Sequence, residues 1–234
     1  MTRQTLVMTR PRAAAERFVG GLSDDAMQDV EVIYAPLVRI VGTGAPVDLS
    51  GYGGVIFTSA NAVAFAPEAN GRRAYCVGST TAAKARAAGW DVKAVEQNAE
   101  ALIATFAKAM PKGPLMHLAG RHRRGGIDTR LSEMGVQVDV QVLYDQPLIR
   151  LSEEVRELLS GEGRLILPLF SPRTATHLAS EIRTAPHVIA IVMSDAIAFP
   201  LRDVQFADIV KAAAPTGEEM ALTVELQLRR NRFP

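Results

Sequence analysis

The sequence predicts an α/β protein of doubly wound parallel sheets, and it predicts that the unit occurs twice. Short apolar β-type runs alternate with helix-type segments along the chain, the pattern of parallel sheets covered on both faces. Residues 30–41 (VEVIYAPLVRIV) and 140–151 (VQVLYDQPLIRL) both alternate with period two and run through a tyrosine into a proline and an arginine, with Tyr34 and Tyr144 110 positions apart. Residues 55–63 (VIFTSANAV) and 167–175 (LPLFSPRTA) echo each other at nearly that offset and align Ser59 with Ser171. The spacing points to an ancient duplication of α/β units of about 110 residues, an ordinary domain size. A protein so built has a natural place for a ligand in the cleft between its halves.

The elements follow in order. Residues 5–9 form a short apolar strand, after which Pro11 suits the first turn of a helix to about Leu22, where a missing N–H costs nothing. Residues 30–40 are extended, and residues 54–58 are a buried strand running straight into a helix from about Ala60. A strand at 74–78 leads to a helix at 81–88, stopped by Gly89. Residues 98–109 are helical, 115–119 a strand, and 127–134 a helix ended by Gly135. Period-two alternation returns over 136–144. The second half repeats the pattern with a helix at 152–159, a strand at 165–170, a helix at 174–182 and a strand at 188–193. Thr216 and Glu219 form a capping box for a closing helix over 217–229.

Composition narrows the function classes. With 234 residues, 48% of them apolar, the chain can bury one large core or two modest ones, and its net charge of +1 gives no preference for nucleic acid or an acidic membrane surface. One cysteine, Cys76, permits no intrachain disulfide, and no apolar run approaches the roughly 18 residues that span a bilayer. The N-terminal MTRQTLVMTR has no long apolar segment of the signal-peptide kind. The expected compartment is the cytoplasm.

Chemistry is expected where strands end and helices begin. Such junctions present unpaired backbone N–H groups and the positive end of a helix dipole, a ready anion site. Several here carry small or hydroxylic residues: Thr9-Arg10-Pro11, Thr58-Ser59-Ala60-Asn61, Gly78-Ser79-Thr80-Thr81, Ala119-Gly120-Arg121 and Ser171-Pro172-Arg173. Ligands of open parallel sheets bind outside the carboxyl ends of the strands, so this set suits a molecule with many carboxylates or phosphates. Taken one at a time, each Ser or Thr also reads as a plain helix N-cap.

At these residues the chain resembles the uroporphyrinogen-III synthase family. The matching segments are MTRP at 8–11, FTSANAVAF at 57–65, YCVGSTTAAKARAAGWDV at 75–92, VQVLYDQP at 140–147 and LFSPRTA at 169–175. The resemblance implies two flavodoxin-like doubly wound lobes joined by a two-stranded β-ladder, with the active site in the cleft. One discontinuous lobe comprises residues 1–34 plus 152–234, the other residues 43–141, and residues 35–42 and 142–151 are the linker strands. The implied reaction cyclises hydroxymethylbilane to uroporphyrinogen III. Water is lost, the resulting azafulvene cation attacks the substituted carbon of the last ring, and a spiro intermediate fragments and recloses with that ring inverted.

Tyr144 matches the family tyrosine proposed to assist loss of the hydroxyl. A phenol ordinarily titrates near about 10 and so keeps its proton at neutral pH, serving as a weak general acid. Its structural alternative is a linker tyrosine packing its ring, the role also expected of Tyr34. The substrate-binding set that the resemblance implies is Thr9, Arg10, Thr58, Ser59, Ala60, Asn61, Gly78, Ser79, Thr80, Gly120, Arg121, Ser171, Pro172 and Arg173. Arg12, Arg123 and Arg124 add long-range attraction for the carboxylates. The resemblance implies no cofactor, a monomer, and a transient contact with the deaminase that makes the bilane.

Other chemistries find little support. His117, His122, His177 and His187 lack ligand-like spacing and accompanying cysteines, so no metal site is expected. Cys76 reads as a small buried residue. No GxGxxG follows a strand and no GxxxxGK[ST] occurs. One departure from the family pattern stands out: residues 192–197 read VMSDAI where the family's second repeat carries a glycine and threonines, and Asp195, if it faces the cleft, would repel a substrate carboxylate. The second function class is a non-catalytic, two-lobed binder or sensor of a polyanionic small molecule.

Overall fold

A computed structural model describes residues 4–123 and 125–230. Arg124 of the basic loop therefore lies outside the described residues. In chain order the elements are β1 (Gln4–Met8), α1 (Arg12–Val19), α2 (Asp24–Met27), β2 (Val30–Tyr34), β3 (Val41–Gly42), β4 (Gly54–Phe57), α3 (Ala60–Val63), β5 (Arg73–Val77), α4 (Ser79–Ala87), β6 (Asp91–Glu96), α5 (Ala99–Lys108), β7 (Leu115–Gly120), α6 (Ile127–Glu133) and β8 (Val138–Asp145). They continue with α7 (Glu153–Ser160), β9 (Leu165–Leu169), α8 (Pro172–Glu181), β10 (Thr184–Val192), α9 (Asp195–Ala198), β11 (Gln205–Lys211) and α10 (Gly217–Arg229). No helix among the described residues is long and apolar enough to cross a membrane.

The chain divides into two compact units. One joins the residues up to Arg39 with those from Leu148 onward; the other is Ile40–Pro147. The first holds a five-stranded sheet in the order β11-β10-β9-β1-β2, with every pairing parallel. In the second the order is β3-β8-β7-β4-β5-β6, parallel except where β3 runs antiparallel to β8. The two orders are equivalent by circular permutation: counted as β1, β2, β9, β10, β11 in one sheet and as β7, β8, β4, β5, β6 in the other, where β7 and β8 come last along the chain, both read 2-1-3-4-5, one of the common doubly wound orders. Each unit thus takes its opening β-α-β pair from one repeat and its remaining three strands from the other.

Both faces of each sheet are buried, which is why the central strands read as unbroken apolar runs. In β9, Leu165, Leu167 and Leu169 enter the core cluster that includes Leu178 of α8, while Ile166 points to the cluster that includes Met220, Val224 and Leu228 of α10. In β4, Val55 and Phe57 pack with Ala62 of α3 and Trp90, and Ile56 packs with Leu102 and Phe106 of α5 and Ile127 and Leu131 of α6. The period-two pleat sends alternate residues to opposite cores.

Caps set the helix starts. Ser23, Ser59, Asn98, Ser152, Ser171 and Thr216 each accept a backbone N–H through the side-chain oxygen. Thr216 accepts from Glu219, so the α10 boundary matches the capping box. Ser171 draws α8 forward to Pro172, two residues before the expected start at Thr174, because proline is at ease in a first turn. Three expectations change. The extended run over 30–40 stops at Tyr34, before Pro36, which has no N–H to continue a ladder. The helix expected from Ala60 is a single turn, and the first helix ends at Val19, ahead of Gly20 and Gly21, short of Leu22.

Close backbone approach occurs where β4 and β7 enter their sheet. A Cβ on Gly53 would lie 1.7 Å from the Lys112 carbonyl oxygen, and the Gly53 amide donates to Pro114 O at 2.8 Å. Gly53→Ala is expected to force these two loops apart and cost about 3 kcal/mol of stability, to be read as a lowered midpoint in urea denaturation.

Candidate active site

In a doubly wound sheet the crevice opens where neighbouring strands send their helices to opposite faces. In the first unit this happens between β1 and β9: α1 contributes Ala15 to the cluster on one face, and α8 contributes Ala175 and Leu178 to the cluster on the other. The second unit does the same between β4 and β7, with Ala62 and Val63 of α3 on one face and Ile127 and Leu131 of α6 on the other. The sequence-predicted residues fall at these strand ends. Thr9, Arg10, Ser171, Pro172 and Arg173 follow β1 and β9; Thr58 to Asn61 follow β4, Gly78 to Thr80 follow β5, Gly120 and Arg121 close β7, and Tyr144 lies near the end of β8.

At the β1–β9 end, the Arg10 guanidinium lies 4.3 Å from the centre of the Phe170 ring, which packs edge-on against Phe18 at 5.0 Å. Stacking fixes the guanidinium plane and leaves its N–H fork available. Arg10 has no ion pair among the described residues, and burial together with nearby Arg17 lowers its pKa from the ordinary arginine value. An anion would relieve both costs. Arg12 differs, since it stacks on Tyr34 at 3.8 Å and pairs with Glu16 at 2.6 Å.

The two serines at the junctions serve as caps, Ser59 for the Asn61 amide at 3.2 Å and Ser171 for the Thr174 amide at 3.2 Å. Capping uses an oxygen lone pair and leaves the hydroxyl proton to donate; at Ser171 that hydroxyl is already paired with Thr174 Oγ1 at 2.9 Å, whereas Ser59 has no such second partner among the described residues. Gly78 adopts φ +85°, a left-handed backbone that glycine tolerates, and so turns β5 into α4 with the Ser79 and Thr80 amides in the open first turn. Arg121 is engaged: its Nε donates to Asp145 Oδ2 at 2.8 Å. The Gln146 amide, then the Arg121 contact, hold that carboxyl below the usual range. Asp195 is likewise compensated, with Lys211 Nζ 2.8 Å from its carboxylate.

Tyr144 is 4% exposed and its ring stacks on Phe65 at 6.1 Å. Two glycines make room for the pair. A Cβ on Gly120 would lie 2.5 Å from Tyr144 Cζ, and one on Gly42 would lie 2.7 Å from the Phe65 ring. Gly42 and Gly120 are also the register partners of Tyr144 in β3 and β7, so bare backbone flanks the tyrosine on both neighbouring strands. Its hydroxyl takes no hydrogen bond among the described residues, yet it is not one of the fully enclosed orphaned side-chain atoms.

One residue dismissed on histidine spacing enters the site by another route. His117, in the apolar strand β7, is 1% exposed and its Nε2 lies 3.0 Å from Thr58 Oγ1. Its Nδ1 is enclosed without a hydrogen-bond partner and faces Asp128 Oδ1 of α6 at 3.9 Å. The available signal was a polar side chain inside LMHLAG, a run otherwise apolar. Phe65 and Phe170 carried no such signal, because an aromatic beside a strand end reads as ordinary core. Among the described residues no group of three or more His, Cys, Asp or Glu side chains could hold a metal ion.

The two parallel sheets, with helices starting at their carboxyl ends, define an α/β protein of the doubly wound kind. Comparison with known proteins makes the assignment specific: the sequence model of the family described as Uroporphyrinogen-III synthase HemD matches residues 26–221. The chain belongs to the uroporphyrinogen-III synthase family, lyases of tetrapyrrole and haem biosynthesis that cyclise hydroxymethylbilane to uroporphyrinogen III. Among solved structures, it is similar to uroporphyrinogen-III synthetase from Helicobacter pylori 26695, with 18% identity over 98% of this chain and 100% of that one and a TM-score of 0.67. A mutant uroporphyrinogen III synthase from the extremely thermophilic bacterium Thermus thermophilus gives 14% identity over 95% and 98% of the two chains, with a TM-score of 0.51. No curated protein matches the chain significantly.

Burial pushes the His117 pKa down to about 4, only partly opposed by Asp128, with Arg123 adding to the fall. A histidine in the unfolded chain titrates near about 6.5. Between those values the unfolded chain takes up a proton that the folded one refuses, so stability present at neutral pH is lost as the pH falls from about 6.5 toward 4, then levels off. The expected loss is roughly 3 kcal/mol. It is measurable from urea midpoints at pH 7 and 4.5, and His117→Gln should flatten this part of the profile.

Proposed function

We propose that the chain performs this cyclisation chiefly by controlling how the linear tetrapyrrole folds, with Tyr144 assisting departure of the hydroxyl as water. The observation that carries the reading is the Tyr144 phenol: its ring is held by Phe65 and bounded by Gly120, while its hydroxyl remains unpaired among the described residues. A phenol spending its proton on a neighbour could not offer it to a leaving group. One held rigidly and left unpaired can. The electron-rich pyrrole expels its hydroxyl readily, so a weak acid is enough.

Left alone, the bilane closes directly to the symmetrical type I ring, and the catalyst must make ring inversion faster than that closure. Fixing the reacting ends in a near-attack arrangement can contribute about 7 to 11 kcal/mol at the upper limit. The substrate's carboxylates are the natural handles. In this reading the first unit offers Arg10, stacked on Phe170, with Thr9, Ser171, Pro172 and Arg173 at the same strand ends. The second unit offers the Ser59, Ala60 and Asn61 junction with Thr58 beside it, and the open first turn at Gly78, Ser79 and Thr80. Gly120 leaves space for the tyrosine. Arg121, tied to Asp145, contributes by orienting the end of β8 more than by meeting the substrate directly.

We further read residues 1–34 plus 152–234 and residues 43–141 as two flavodoxin-like lobes, with 35–42 and 142–151 as linker strands. The matching 2-1-3-4-5 strand orders support the lobes. The pairing of Val41 with Asp145 and the bridge between Val38 and Leu148 support the ladder. A cytoplasmic monomer that receives its unstable substrate from the deaminase in a transient contact completes the proposal. The sensor alternative is not favoured, because the family match runs through most of the chain.

Purified protein supplied with bilane generated in situ, followed by separation of the oxidised porphyrin isomers, should yield type III. Type I alone would leave the protein a binder. Tyr144→Phe is expected to slow type III formation by about 100-fold, the lower range for general acid catalysis, while the thermal midpoint changes little; an unchanged rate would assign the ring to packing alone.

A further inference from the structure

His117 is a buried titratable group that the carboxylate-anchor reading leaves without a task. It lies at the β4–β7 crevice, where its strand is paired with the strand that carries Thr58 at its carboxyl end. The 3.0 Å contact between Nε2 and Thr58 Oγ1 has two proton arrangements. With the proton on Nε2, the imidazole donates to Thr58, the threonine O–H is free to reach outward, and the bare Nδ1 lone pair is held against the Asp128 carboxylate 3.9 Å away. With the proton on Nδ1, an N–H dipole points at that carboxylate and Nε2 accepts from the Thr58 hydroxyl. The separation exceeds a hydrogen bond, yet in an enclosed site the sign of the dipole decides. A lone pair facing a carboxylate is repelled, and an N–H facing it is attracted. The Arg123 guanidinium lies 4.0 Å from the other Asp128 oxygen and 36% exposed, too far out to reverse that preference.

We propose that His117 is a positioning residue that takes the Thr58 proton inward, so that Thr58 presents only lone pairs to the substrate and accepts a hydrogen bond from a pyrrole N–H. Threonine at this place cannot then donate to a substrate carboxylate, and the neighbouring backbone amides and Ser59 carry that task. This rests on the reading of the strand ends as the substrate site, and it gives Thr58 a role opposite in sign to that of a carboxylate handle. A hydroxyl has one proton, and Thr58 donates it to His117 Nε2.

The positioning is tested on the unmodified protein by long-range proton–nitrogen correlation spectra of the histidine rings at pH 7. The expected result for His117 is protonated Nδ1 and bare Nε2; the reverse tautomer, or an imidazolium, would overturn the proposal. The acceptor role is tested by kinetics. Thr58→Val should lower kcat/KM roughly tenfold, about the worth of one hydrogen bond. Thr58→Ser, which keeps the hydroxyl that His117 binds without adding charge beside the carboxylate-binding amides, should recover most of that loss. Ser no better than Val, or Val equal to wild type, overturns the acceptor role. Tyr144→Phe measured in parallel separates this from failure of the site reading, which would leave all these variants, Tyr144→Phe included, at the wild-type rate.

Discussion

Burial of both faces of every central strand is the constraint on which the rest depends. β4, β7 and β9 have no side of their own that meets water, so apart from His117 these strands carry only apolar residues, and polar chemistry is driven to the ends of the strands. There the chain must turn into a helix, and the turn exposes backbone donors that the sheet and helix have not consumed. On the proposed reading, a substrate with many carboxylates gains anchors from that geometry without a large set of charged side chains, and a net charge of +1 then suffices because amides and helix ends supply positive potential.

Two exceptions to the apolar rule mark the second unit's strand ends. His117 is polar where its neighbours are apolar, and the desolvation that holds it neutral also makes its single hydrogen bond directional. Tyr144 is an aromatic in a sheet whose adjacent strands have lost their side chains at the register-matched positions, Gly42 and Gly120. Both cases show a side chain whose polar end is fixed by what surrounds its apolar body. The first unit reaches a comparable result differently, with the Arg10 guanidinium flattened on Phe170.

The strands at the sheet centres were legible because complete burial leaves an uninterrupted apolar run, as in LILPL of β9 or GVIF of β4. Two edge strands were not, although the edge strand β2 was. β6 reads DVKAVE, with every other residue solvated, and β11 reads QFADIVK, exposed at Gln205, Ala207, Asp208 and Lys211, and such short runs rich in charge look like loops. The one-turn helices α2 and α9 escaped for a different reason, and α3 was expected as a longer helix: four residues are too few to display a helical period. In the site, hydroxyl and glycine junctions stood out as a pattern. The partners that give them a role, Phe65 for Tyr144, His117 for Thr58 and Asp145 for Arg121, are 79, 59 and 24 positions away along the chain and carry no local mark.

The sequence by itself determined the α/β class, the duplication and the family, because these depend on burial period and local motif, which each segment carries within itself. Tertiary structure alone decided which protons and charges are already committed. That Arg121 is tied to Asp145, that Asp195 is neutralised by Lys211, and that the Thr58 hydroxyl meets a buried imidazole all depend on which strands are neighbours, and neighbourhood between distant segments is set by the packing of whole sheets.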